Sequence, residues 1–374
     1  MTQRTTLFVL SRKCVCLIFI FLLCTLVSFS QQTIYPHTLD SVIAYIEKNY
    51  AGFSDKVNTQ TKKAYQAHTK QAYQLAKQAQ SAADYYVVIN HWLTFFKDQH
   101  LYINSPADTT STKKARHDDK QVQKSYHKPL FDEENRVNAF FKTLNDSTCY
   151  LRIKSFNGSY DRSIDSVIKA NLKSIQSTPK LIIDLRGNGG GSDHCISFLQ
   201  PILYTNPVKN IGVDLLTTPD NTAAWEFLIN QYRNKLPGKY LDDALKKIHQ
   251  GDGKARAFVN FEPDYTGTLP VVWANPAKVA IVIDGQCASA TEELLLFARQ
   301  SKKTKIVGEH SSGVLDYSNV VPRDFSNPPF TLHYPTTRSR RIDAGLGIDN
   351  KGILPDIPLT LSTNNWLDEL MRKW

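Results

Sequence analysis

Ser289 stands in the run Gln286-Cys287-Ala288-Ser289-Ala290-Thr291-Glu292, directly after the apolar stretch 279–283 and at the head of a segment whose apolar residues recur at three and four. A serine between a strand and a helix has its hydroxyl exposed above a sheet edge. Small neighbours leave room for a carbonyl group, and the helix N-terminus favours developing negative charge. This is a nucleophile's position, but it also suits an ordinary N-cap, where serine is among the preferred residues. A second segment, LIIDLRGNGGG from Leu181 to Gly191, changes the balance. There a buried-strand pattern runs into a charged pair and then into glycines, whose backbone N–H groups are free to point at a ligand. The N–H of Gly189 or Gly190, in a conformation with φ > 0 that only glycine adopts cheaply, would join that of Ala290 as an oxyanion hole. As a dinucleotide loop the run fits poorly: the third glycine of the G-x-G-x-x-G spacing is missing, and Ser192-Asp193 places acid where phosphate would go.

The elements that must position these residues follow from periodicity. Residues 31–104 read as a small helical domain. Thr38 or Asp40 caps a helix with Ile43, Ile46 and Tyr50 on one face, Lys62 to Gln80 forms a second helix, and Tyr85 to Phe96 a third, aromatic one. Lys97-Asp98-Gln99-His100 ends it, followed by the strand-like Leu101 to Ile103. Residues 105–130 are polar, without apolar period, and read as a linker or loop. From 131 to 374 strand and helix patterns alternate: Cys149 to Lys154, helix Ser163 to Ile175, Leu181 to Leu185, helix Cys195 to Leu203, Val279 to Ile283, helix Ala290 to Arg299, and a strand from Lys305. Such alternation predicts an α/β sheet covered by helices. An insertion at 206–270 carries two expected helices, Thr222 to Asn234 and Leu241 to His249, and can act as a cap.

Composition bounds the rest. The chain has 374 residues, 41% of them hydrophobic and 21% charged, enough for a full core and a second domain. Arg4, Arg12 and Lys13 precede an apolar run from Cys14 to Val27, and Ser28 and Ser30 follow. Residues 1–30 therefore read as a signal peptide cut after Ser30, because about 14 apolar residues are short for a membrane span of roughly 20. Removing it takes three of 45 basic residues and none of 35 acidic ones, so the net charge falls from +10 to +7. No basic stripe interleaved with aromatics occurs, which argues against nucleic acid as a partner. Cys149, Cys195 and Cys287 remain, an odd number that does not make a disulfide framework, and no C-x-x-C supports a zinc site. Cys287 reads as packing, and Asp184 and Arg186 as an internal pair that sets the loop. Arg338, Arg340 and Arg341 read as a solvated charge run.

Four motifs in order, LIIDLRGNGGG, CASATEEL, GEHSSG at 308–313 and Gly352-Ile353-Leu354-Pro355-Asp356-Ile357, resemble the serine peptidase family of C-terminal processing (tail-specific) and tricorn-core proteases over roughly residues 38–360. The resemblance implies a crotonase-like ββα core, an exported peptidase that acts on peptide or protein substrates, and Ser289 as the acylated residue. No metal or cofactor is implied. One branch of the family uses a lysine about 25 positions after the serine, but Val314 follows Gly313 here. The tricorn-like branch uses a histidine in a D-G-H-T type motif, and Asp98-Gln99-His100-Leu101 lies in that place, with Gln99 and Leu101 departing from the pattern. On this resemblance His100 takes the Ser289 proton and returns it to the leaving amine. Asp349, three before Gly352, stands where the branch has an assisting glutamate and on this resemblance orients the catalytic pair, and Ser311 and Ser312 are candidates to line the substrate. The interval from His100 to Cys149 is too short for the PDZ module of about 80 residues found in better-known members. Two other readings use the same residues. One is a non-catalytic protein whose cleft holds a peptide or apolar ligand, favoured by the departures at Gln99, Leu101 and Asp349; the other is a hydrolase of esters or other acyl groups.

Overall fold

The computed structural model describes residues 34–106, 129–231, 233, 238–254, 256–363 and 365–374. The expected signal peptide and nearly all of the expected 105–130 linker lie outside them. The chain divides into two compact units. Of the described residues the first takes 34–96, 101–106 and 322–334, and the second takes the others.

In the first unit the longer helices are α1 (34–49), α2 (Lys62–Gln78) and α3 (Ala82–Leu93), with a single turn at Phe53–Lys56 after α1 and a 3-10 turn to Phe96 after α3. α3 begins with a reciprocal cap: Ser81 Oγ accepts the Asp84 N–H, and Asp84 accepts the Ser81 N–H. Tyr50, Tyr65, Trp92 and Phe96 pack edge-on or tilted in its core. The strand β1 (Tyr102–Asn104) runs antiparallel to residues 331–333. That segment, 227 to 231 positions downstream of its partners in β1, was not expected to join the helices.

The second unit is built on a six-stranded sheet. Its strands are β2 (Ala139–Asn145), β3 (Thr148–Ile153), β4 (Lys180–Asp184) and, further along the chain, Lys278–Ile283, Thr304–Gly308 and Ile357–Pro358. The last five are mutually parallel, and β2 runs antiparallel to β3. Both faces are covered, so the strands alternate between two cores. Leu181, Ile183, Val279, Ile281 and Ile283 share one core with residues of the helices that follow Ile153, Gly191 and Ser289, while Ile182, Ala280 and Val282 face Leu359, Trp366 and Leu370.

Helix boundaries depart from the expected ones for local reasons. Ser163 to Ile175 is two helices, α4 (Asp161–Ala170) and α5 (Leu172–Ser177), because the Asn171 side chain bonds back to the Val167 carbonyl at 2.9 Å. Cys195 to Leu203 is also two, α6 (Asp193–Ser197) and α7 (Gln200–Leu203), with Pro201 in the first turn of the second. The insertion has more strand than expected. Around its helices α8 (Pro219–Gln231) and α9 (Gly238–Ile248) lie β5 (Val208–Asn210), β6 (Val213–Thr217), β7 (Ala257–Glu262) and β8 (Tyr265–Gly267), paired β5 with β8 and β6 with β7. Leu215, Ile229, Leu241, Ile248 and Phe261 give it a core of its own. The remaining elements are β9 (Lys278–Ile283), α10 (Ala290–Ala298), β10 (Thr304–Gly308), the hairpin β11 (Tyr317–Ser326) and β12 (Pro329–Ser339), β13 (Ile357–Pro358) and α11 (Trp366–Lys373).

Because neighbouring residues of β4 face opposite cores, truncation on either face should cost alike. Ile182→Ala and Ile183→Ala, both fully buried, should each lower the unfolding free energy by about 2–5 kcal/mol, whereas Val87→Ala, at an exposed helical position, should change it by less than about 0.5 kcal/mol. Urea titration of the three variants measures this.

Candidate active site

β4 and β9 are adjacent parallel strands with Asp184 opposite Val282, so the loops that follow them leave the sheet at the same end. They lock together through main chain and short side chains. The Ala288 N–H and the Thr291 hydroxyl both donate to the Asn188 carbonyl, at 3.3 and 2.9 Å. Asp284 Oδ1 accepts the N–H of both Gly187 and Gln286. At Gly190, φ is +89°, and a Cβ would lie 2.5 Å from the Ala288 carbonyl oxygen and 2.9 Å from the Ser289 Cβ. Only glycine lets the two turns close to this distance.

Ser289 itself has φ 56° and ψ −124°. An N-cap residue ordinarily sits in the β region, so capping does not account for this backbone. A non-glycine residue held there is strained by roughly 1–3 kcal/mol and persists only where its surroundings over-determine it. Here they do. The Ser289 N–H faces both the Val314 carbonyl and Glu292 Oε2, each at 3.1 Å. Glu292, fully buried, also accepts the Ser311 hydroxyl at 2.6 Å, the Gly313 N–H at 2.7 Å and the Val314 N–H at 2.8 Å. Its carboxylate thus ties the head of α10 to the loop 311–314. Sequence reasoning gave Glu292 no role, although the S-x-x-E spacing from Ser289 to Glu292 is a capping signature that could have found it.

The expected oxyanion donors are not equivalent. The Gly190 N–H is committed to Asn188 Oδ1 at 3.0 Å, which corrects the expectation that either glycine could serve. Among the described residues neither the Gly189 nor the Ala290 N–H has a hydrogen-bond partner. Gly189 is exposed and its φ is not in the positive range. Ser311 is also corrected: it is fully buried, and its hydroxyl donates to Glu292 and accepts the Ile353 N–H at 2.7 Å, so it holds the loop and does not line a cleft. Ser312 is half-buried and accepts from Gln99 Nε2 at 3.2 Å. Gln99, the departure from D-G-H-T, therefore docks the His100 segment on the loop beside Ser289.

His100 is half-buried, and its Nδ1 lies 2.7 Å from the Tyr317 carbonyl oxygen. A carbonyl only accepts, so Nδ1 carries a proton, and in the neutral ring that leaves the lone pair on Nε2. Its backbone N–H is held by Asp98 Oδ1 at 2.9 Å. The orienting partner expected in Asp349 is thus a backbone oxygen. The shorter aspartate is engaged elsewhere, its Oδ1 accepting the Leu315 and Asp316 N–H groups at 3.1 and 2.8 Å. Burial first, and then the charge of Asp98, push the Asp349 carboxyl up to about 7, against the pull of those two N–H bonds.

The other singled-out residues have plain partners. Cys287 is buried with its thiol on the Leu185 carbonyl. Arg186 chelates Asp184, and although burial alone would raise the Asp184 carboxyl, Arg152 and Arg186 hold it well below the ordinary range. Arg338 pairs with Asp343, Arg340 with Asp214 and Asp264, and Arg341 with Glu293, so the expected solvated charge run is a set of ion pairs. Among the described residues no group of three or more His, Cys, Asp or Glu could hold a metal ion.

No curated protein matches the chain. Among solved structures it is similar to mature CPAF in complex with lactacystin, at a TM-score of 0.61 and 11% identity over 91% of this chain and 97% of that one. It is also similar to a candidate peptidase from Parabacteroides merdae, at 0.58 and 14% over 90% and 96%. At such identities the likeness speaks for the mixed α/β fold alone. The family model of peptidase family S41 matches residues 147–359, more than half of the chain, including the glycine loop, the Ser289 turn and the 311–314 loop. The chain therefore belongs to peptidase family S41.

Proposed function

We propose that the protein is an exported serine endopeptidase that hydrolyses peptide bonds through an acyl-enzyme on Ser289, on a core of the crotonase-like kind. The observation that carries the reading is the strained backbone of Ser289, held by Glu292 and closed against Gly190. In this scheme Ser289 Oγ attacks the scissile carbonyl while His100 Nε2 takes its proton, and the Gly189 and Ala290 N–H groups receive the oxyanion. His100 then returns the proton to the leaving amine, and a water deacylates the serine by the same route. Tyr317 O fixes the tautomer, and Asp349 acts through the 315–316 peptides beside it. Export rests on the pattern of residues 1–30. Among the described residues no helix is long and apolar enough to cross a membrane.

A fluorophosphonate probe should label the wild type and leave Ser289→Ala unmodified; a wild type that stays unlabelled favours the non-catalytic binding reading. His100→Ala should fold normally and lose a factor on the order of 100 to 10,000 in labelling rate. Equal rates for wild type and the histidine variant would remove His100 from the scheme.

The two glycines should separate stability from chemistry. Gly190→Ala places a side chain at φ +89° and within 3 Å of three atoms of the Ser289 turn, so its thermal midpoint should drop by several degrees. Gly189→Ala meets nothing closer than 4.0 Å and should melt like the wild type.

The Asp349 carboxyl is raised from its ordinary 3.8 to about 7. Between those values the folded state binds more protons than the unfolded, so this group makes stability fall as pH rises from about 4 to about 7. In Asp349→Asn that contribution is absent. Its thermal midpoint should therefore decline less than the wild type's between pH 4 and 7, which scanning calorimetry at stepped pH would record; parallel curves would contradict the assignment.

A further inference from the structure

Beneath the glycine loop lies a buried cation that the acyl-transfer scheme does not use. Arg152, on β3, is 8% exposed. Its Nη1 donates to the Asp184 carbonyl at 2.9 Å and its Nη2 to the Arg186 carbonyl at 2.6 Å, while its Nε lies 4.0 Å from Glu134 Oε2. Arg152 also pairs with Asp184, its Nη1 lying 3.6 Å from Oδ1, but that carboxylate has closer partners. Arg186 already chelates both Asp184 oxygens, and the Tyr150 hydroxyl donates to Oδ2 at 2.8 Å. Beyond its pairing with Asp184, Arg152 grips two carbonyl oxygens two residues apart with a fork of two separate nitrogens on one rigid plane, where a lysine offers a single freely rotating ammonium.

The second of those carbonyls is the informative one. The Arg186 oxygen and the Gly187 N–H belong to one peptide plane. Arg152 holds the oxygen end, and Asp284 Oδ1 holds the N–H end at 3.0 Å. From that plane the chain turns through Gly187 at φ +75°, and the Asn188 N–H closes on the Leu185 carbonyl at 2.9 Å. Gly189 is the next residue. Among the described residues its N–H has no partner, but it shares a peptide plane with the Asn188 carbonyl that the Ala288 N–H and the Thr291 hydroxyl hold, so its direction is set jointly by those contacts and by the pinned peptides before it.

We propose that Arg152 is a positioning residue for peptide-bond hydrolysis: by clamping the Arg186–Gly187 peptide it fixes the approach to Gly189 and, with the contacts on the Asn188 carbonyl, aims the Gly189 N–H at the oxyanion. The proposal rests on the acyl-transfer reading above for its effect on rate, but not for its effect on the loop. Glu134, 2% exposed, backs the guanidinium from the far side.

The test compares wild type, Arg152→Lys and Ser289→Ala by fluorophosphonate labelling per folded molecule, peptide kinetics and hydrogen exchange. Arg152→Lys keeps the charge and loses the fork. Labelling and kcat should fall about 10- to 100-fold, the scale of a displacement near 1 Å, with KM within about 2-fold. Exchange should rise in peptides covering 186–191 and stay unchanged in those covering 279–283. If labelling and loop exchange both match the wild type, or if exchange rises equally throughout the sheet, Arg152 serves only stability and the proposal fails. Should Arg152→Lys not fold, Glu134→Gln leaves the fork in place but loosens its support, and a loop-confined rise in exchange with a labelling loss of about 3-fold is expected; no change there overturns the proposal. A wild type that is not labelled removes the acyl-transfer reading, and the exchange pattern still decides whether Arg152 fixes the loop.

Discussion

The register of two parallel strands governs this molecule. With Asp184 opposite Val282, β4 and β9 end together, and the glycine run and the serine turn, about a hundred residues apart in sequence, begin as neighbours. Parallel strands need a crossover between them, and the whole 206–270 insertion lies within this one. The geometry at the sheet edge therefore does not depend on the insertion's details: the ladder sets it, and the ladder is buried on both faces.

Buried charge does the finer positioning. Glu292 accepts four donors from Ser289, Ser311, Gly313 and Val314, and Asp184 is enclosed by two arginines and a tyrosine. Each carboxylate satisfies backbone or side-chain donors that would otherwise be orphaned in the interior, where an unmet polar group costs about 1–3 kcal/mol. Such groups are poor contributors to net stability compared with apolar packing. Their value lies in direction, since a bonded carboxylate admits few arrangements of the loops around it.

What the sequence disclosed follows the same division. Strands of Val, Ile and Leu before a glycine run or a small-residue turn announce themselves, and so do Ser289, the Asp184–Arg186 pair and the alternating order of the core. The partner of His100 was hidden because it is the main-chain oxygen of Tyr317, and a carbonyl has no residue type. Asn188 was passed over inside a run of glycines, though it decides which glycine N–H stays free. Two of the insertion's four described strands are three residues long, too short for alternation to emerge. The hairpin carries Pro322, Pro329 and Pro335, which mask its period.

That hairpin has a consequence for biosynthesis. Its outer residues, 322–334, belong to the first unit, where 331–333 pair with β1. The helices of that unit leave the ribosome first, yet their companion strand is made more than two hundred residues later. Folding during translation therefore leaves the helical unit without its companion strand until nearly the whole peptidase core has been synthesised.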